Sequence, residues 1–159
     1  QDRDLVLLEH IEKNPNATQA SLAEQLGVAV GTGNWHLKRL IEKGYVKVKH
    51  AERRKLKYII TPEGIALRAN LTVDFIRSSM EMYRLIRQRM KSALQELQQQ
   101  QASVVRLQGG SPDVVDICRL SCLESGIHIT EQRDHYPVIQ IDHLKIIVHW
   151  QDGAHRINE

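Results

Sequence analysis

The sequence predicts an α+β chain, and three observations carry that expectation. Apolar residues recur at helical spacing in three short stretches before Gly44, and again over one much longer stretch after Thr61. Between them lie two short runs suited to strands, Tyr45 to His50 and Leu56 to Ile60. After Ser103 the character changes to short Val/Ile-rich runs separated by glycine turns.

The elements follow in order. Asp4 to Lys13 sets Leu5, Leu8 and Ile11 on one helical face, widened by Val6 and Leu7, and Asn14-Pro15-Asn16 ends it. Thr18 is a suitable N-cap for a second helix, Gln19 to Leu26, with Leu22, Ala23 and Leu26 inward. Gly27 supplies a tight turn. A third helix is expected from about Ala29 to Lys43, with Val30, Gly33, Leu37, Leu40 and Ile41 inward and Gly44 as its stop. Strands then flank the charged tip Ala51-Glu52-Arg53-Arg54-Lys55. Two helices meeting at a glycine, followed by a basic hairpin, are the order of a winged helix-turn-helix, whose second helix fits the DNA major groove.

Thr61-Pro62-Glu63-Gly64 opens a long helix, with Thr as cap and Pro at the first helical position, and it runs to about Gln101. A heptad passes through Thr72, Ile76, Ser79, Tyr83, Ile86, Met90, Ala93 and Leu97 in steps of four and three, the period of a coiled-coil seam. A seam must be covered, and a second copy is the simplest cover, so Ile76, Tyr83, Ile86, Met90 and Leu97 are the expected dimerisation residues; fold-back on the chain's own last third is the alternative. That last third reads strand (Val104 to Leu107), glycine turn, helix (Val114 to Ser125) and three strands, Ile127 to Thr130, Val138 to Ile141 and Leu144 to Trp150. The expected organisation is a DNA-binding domain at 1–62, a dimerisation helix at 63–101, and a small α/β module at 102–159 for interaction or ligand sensing.

Charge is uneven. The net of +3 hides a basic first part, with 11 Lys/Arg against 7 Asp/Glu up to residue 60, and an acidic end, with 4 against 8 from residue 111. A localised basic region is the electrostatic footprint of a polyanion binder. No run approaches the roughly 20 apolar residues of a membrane span, so no membrane partner is expected. Cys118 and Cys122 are the only cysteines, which fits a reducing, cytoplasmic setting.

A recognition helix needs small or polar side chains near its N-terminus. The outward set on the third helix is Thr32, Asn34, Trp35, Lys38 and Arg39. Asn34 suits paired hydrogen bonds to adenine, Thr32 suits a thymine methyl or a phosphate, and Lys38 and Arg39 suit phosphates. Trp35 either packs on the wing or stacks against sugar or a thymine methyl. Arg53, Arg54, Lys55 and Lys57 make the wing a backbone or minor-groove element. Thr18 and Gln19 stand at a helix N-terminus, which favours a phosphate.

The string LAEQLGV, HLKRLIEKGYVKV, YIITPEGI resembles the MarR-type winged-helix regulators, and within them the group associated with exopolysaccharide gene clusters. The shared pattern is Leu22-Ala23-Glu24, Leu26-Gly27, Asn34, Leu37-Lys38, Leu40-Ile41-Glu42-Lys43-Gly44 and Ile60-Thr61-Pro62-x-Gly64, over about residues 4–100. The resemblance implies a homodimeric transcription factor, bound to double-stranded DNA at a near-palindromic operator. It does not cover the stretch after Ser103.

Other readings concern that stretch. Cys118 and Cys122, one helical turn apart, with His128 nearby in sequence, are the candidate ligands of a metal sensor, although no strong zinc spacing is present. Gly109-Gly110 before a helix faintly resembles a nucleotide-binding turn but lacks the full glycine pattern. A small-ligand or protein partner for 102–159, or a non-regulatory nucleic-acid-binding role, remains as an alternative. No catalytic triad, P-loop or H-E-x-x-H occurs, so neither an enzyme nor a resident cofactor is expected.

Overall fold

A computed structural model describes residues 2–14, 16–50, 56–132 and 135–150. The elements are α1 (Arg3–Lys13), α2 (Gln19–Leu26), α3 (Val30–Glu42), β1 (Val46–His50), β2 (Leu56–Ile60), α4 (Pro62–Gln99), β3 (Val104–Gly109), α5 (Pro112–Glu124), β4 (His128–Ile129), β5 (Val138–Asp142) and β6 (Lys145–His149). The chain divides into two compact units, Gln1–Ser78 and Ser79–Glu159, so the division falls inside α4. The long helix expected to stand alone at 63–101 is therefore shared between the units.

In the first unit the starts of α1 and α2 have local causes. The Asp2 side chain accepts the Asp4 N–H at 2.8 Å and caps α1. Thr18 and Ser21 cap α2 reciprocally: the Thr18 hydroxyl oxygen accepts the Ser21 N–H at 3.1 Å, and the Ser21 hydroxyl oxygen accepts the Thr18 N–H at 2.9 Å. Gly27 closes α2 in the left-handed region, with φ +64°. α2 then packs on α3 through Gly33, where an added Cβ would lie 2.8 Å from the Cβ of Ala23. The core gathers Leu7, Leu8, Ile11, Leu22, Leu37, Leu40, Val46 and Tyr58. Val30, expected inward, is instead 48% exposed. It is the first residue of α3 and is not a member of the buried core cluster.

β1 and β2 pair antiparallel from Val46↔Ile60 to His50↔Leu56. Thr61 joins this hairpin to α4. Its N–H donates to the Tyr45 carbonyl at 3.0 Å, its hydroxyl donates to the Gly44 carbonyl at 2.7 Å, and its oxygen accepts the Gly64 N–H at 3.0 Å. Leu67 and Leu71 on the early turns of α4 then pack against the first unit's core.

The second unit is a four-stranded sheet of order β4-β3-β5-β6, with β3 parallel to β4 and β5, and β6 antiparallel to β5. Its core joins Val105, Ile139 and Ile141 of the sheet to Val114, Cys118 and Cys122 of α5 and to Ile86, Met90, Leu94 and Leu97 of α4. This corrects the dimer seam. Ile86, Met90 and Leu97 have no exposed surface, because the chain's own sheet and α5 cover them. A heptad stripe demands apolar cover but does not specify whose. Ile76 and Tyr83 remain exposed, together with Val73 and Met80. The exposed apolar stripe thus runs through Val73 and Met80, one residue on from the expected Thr72 and Ser79.

Candidate nucleic-acid interface

α3 has one face locked and the other open. Gly33, Leu37 and Leu40 are buried, while Thr32, Trp35 and Lys38 are exposed. The locked face matters as much as the open one, since base contacts require a helix that cannot roll. Lys38 lies 3.8 Å from Glu42 in an exposed i,i+4 pair, which holds it only weakly.

Asn34 is half-buried at the α2–α3 contact. Its Nδ2 donates to Gln19 Oε1 at 3.2 Å, and its Oδ1 is buried with no hydrogen-bond partner among the described residues. The two residues expected to meet DNA separately therefore form one polar pair; the second Nδ2 proton stays available, so a paired contact from Asn34 to adenine requires the buried Oδ1 to be uncovered. Thr18 is exposed, with its oxygen committed to the cap of α2 and its hydroxyl proton still able to donate.

Arg39, expected to meet a phosphate, has a partner within the chain. Its Nη2 donates to Asp4 Oδ1 at 2.6 Å, and its guanidinium lies 5.3 Å from the centre of the Trp35 ring. Its charge is thus already paired with the first turn of α1. His36, buried next to it, has Nδ1 3.9 Å from Asp4 Oδ1 and Nε2 3.4 Å from Arg3 Nη1. The ring of His36 meets that of Trp35 edge-on, at 4.8 Å and 80°. Sequence reasoning missed this cluster because its partners lie more than 30 positions apart. No local periodicity links them.

On the hairpin, Lys57 is exposed and sits directly across from Lys49, with Lys47 two residues along the same strand face. Like charges opposite each other cost a sheet stability, so this spacing concentrates positive charge against the hairpin's own interest. Arg53, Arg54 and Lys55, expected at the wing tip, lie outside the described residues.

The metal candidates do not come together. Cys118 and Cys122 are free, fully buried core residues. Burial pushes the Cys118 thiol up to about 12, helped by Cys122, and that of Cys122 up to about 11, from an ordinary value of 9.0. His128 is exposed on β4. Among the described residues no three His, Cys, Asp or Glu side chains gather as metal ligands would. No described helix is long and apolar enough to cross a membrane.

Comparison with known proteins agrees for the first unit. Residues 1–47 match the family model described as winged helix-turn-helix DNA-binding. An uncharacterized protein of Methanocaldococcus jannaschii is 34% identical over 70 residues, which is 44% of this chain and 25% of that protein. The chain thus spans about a quarter of the length of this curated relative. A MarR protein from Peptoclostridium difficile superposes with a TM-score of 0.43 at 24% identity, over 49% of this chain and 52% of that one. The N-terminal part of this chain thus has the winged helix-turn-helix fold, and its residues 1–47 match a family described as DNA-binding.

Proposed function

We propose that the chain is a sequence-specific transcriptional regulator of the cytoplasm, acting as a homodimer on a near-palindromic operator, with α3 in the major groove and the basic hairpin on the backbone or minor groove. The observation that carries this reading is the division of α3 into a locked face and an exposed face bearing Thr32, Trp35 and Lys38. Two copies are needed because one recognition helix makes too few contacts for operator affinity. The exposed stripe Val73, Ile76, Met80 and Tyr83 on α4 supports a second copy as partner, its steps of three and four being those of a helix–helix seam. Residues 102–159, acidic from residue 111 onward, are the interaction or ligand-sensing part in this reading.

A gel shift against duplex from the gene's own promoter region, at low salt, tests the reading. A discrete retarded band that survives excess unrelated duplex is expected. No band at low salt would end it.

A further inference from the structure

We infer that Trp35 is the specificity-determining residue of α3, reading the C5-methyl group of thymine, and that Asp4 and Arg39 are the positioning residues that hold it ready. The inference rests on the DNA-reading role proposed above and names what that surface reads.

Three observations converge. Trp35 is 59% exposed, on the sixth residue of α3 and so in the half of a recognition helix that approaches base edges. Although exposed, it is braced on two sides, by the Arg39 guanidinium at 5.3 Å and by the edge-on His36 ring at 4.8 Å. Arg39 is in turn tied to Asp4 of α1 at 2.6 Å, and Asp4 belongs to the turn capped by Asp2. An unbraced surface indole samples several rotamers and loses that freedom on binding; a braced one has lost it already. The chain therefore holds a large apolar plate outward, at the cost of committing a cation that would otherwise be free for phosphate. The apolar feature that the major groove offers such a plate is the thymine methyl.

The test uses a duplex selected from a random library by the full-length protein, in which thymines are replaced one at a time by uracil. That change removes the methyl and keeps the pairing and the backbone. The wild type should bind about fourfold more weakly for each contacted methyl removed, the equivalent of one buried carbon. Trp35→Ala should lose this discrimination and Trp35→Phe should keep most of it. Asp4→Asn and Arg39→Gln should narrow the ratio of thymine to uracil affinity, and Asp4→Glu should restore it, a pattern that a purely structural role would not produce. Circular dichroism confirms that each variant is folded. The inference is overturned if uracil weakens the wild type at no position, or if Trp35→Ala retains the penalty. It is also overturned if Trp35→Ala weakens every duplex equally, which would mark a sugar or backbone contact. A wild type that selects no sequence at all overturns the DNA-reading role itself, a result distinct from these.

Discussion

Gly64→Ala tests how the hairpin is tied to α4. A Cβ at position 64 would stand 2.1 Å from the Tyr45 carbonyl oxygen and 2.8 Å from Ile60 Cγ1. Ordinary contact would require a separation larger by roughly 1 Å, and the nearest atom belongs to the backbone, which cannot rotate aside. Such overpacking costs about 1–3 kcal/mol, and a backbone partner places this case at the upper end. Moving the first turn also strains the Gly64 N–H bond to the Thr61 oxygen, a cap worth about 1 kcal/mol. Alanine's better helix propensity returns about 1 kcal/mol. The net expectation is a loss of about 2–3 kcal/mol from the first unit. Urea unfolding followed by far-UV circular dichroism measures it, as a lower midpoint at unchanged slope. A variant within about 0.5 kcal/mol of wild type would refute the packing argument, since that is the scatter of an innocuous surface change.

Gly31→Ala should act in the opposite sense: among the described residues nothing lies within 4 Å of its added Cβ, so thermal unfolding should show a gain of about 0.5–1 kcal/mol from helix propensity. If Gly31 also allows close approach to DNA, the same variant binds the duplex less tightly while being more stable. Met90→Ala should cost the second unit about 2–5 kcal/mol at every protein concentration, because Met90 is core within one chain. Met80→Glu, at a side chain 48% exposed on the α4 stripe, should leave the fold intact and shift light scattering towards monomer. The cysteines should resist a thiol reagent in the native protein at neutral pH and react at once in denaturant. Their folded pKa values lie above the ordinary 9.0, so their stabilising effect is complete below pH 9 and is lost as pH rises towards 11–12, read as a falling urea midpoint in that window.

The local features were legible because each has a local cause. Thr18, Gly27, Gly44 and the Thr61-Pro62 start announce themselves through capping chemistry and through the backbone angles that glycine tolerates. The existence and antiparallel pairing of β1 and β2 were readable from two short strand-forming runs on either side of a charged tip. Even Gly33 was readable as a point of close helix approach, since a helix keeps a glycine there only for a packing or functional reason.

What the tertiary structure alone decided is who partners whom. The heptad in α4 was plain, yet its half from Ile86 to Leu97 turned into the chain's own core while Val73, Ile76, Met80 and Tyr83 stayed bare. Arg39 had the look of a free cation until Asp4, 35 positions away, took its charge. Trp35 had no assigned posture until Arg39 and His36 braced it. Periodicity and capping act over a few residues, so a sequence displays them directly. Burial and ion pairing depend on which distant segments meet, and that is settled only when the whole chain competes for the same apolar and charged surfaces.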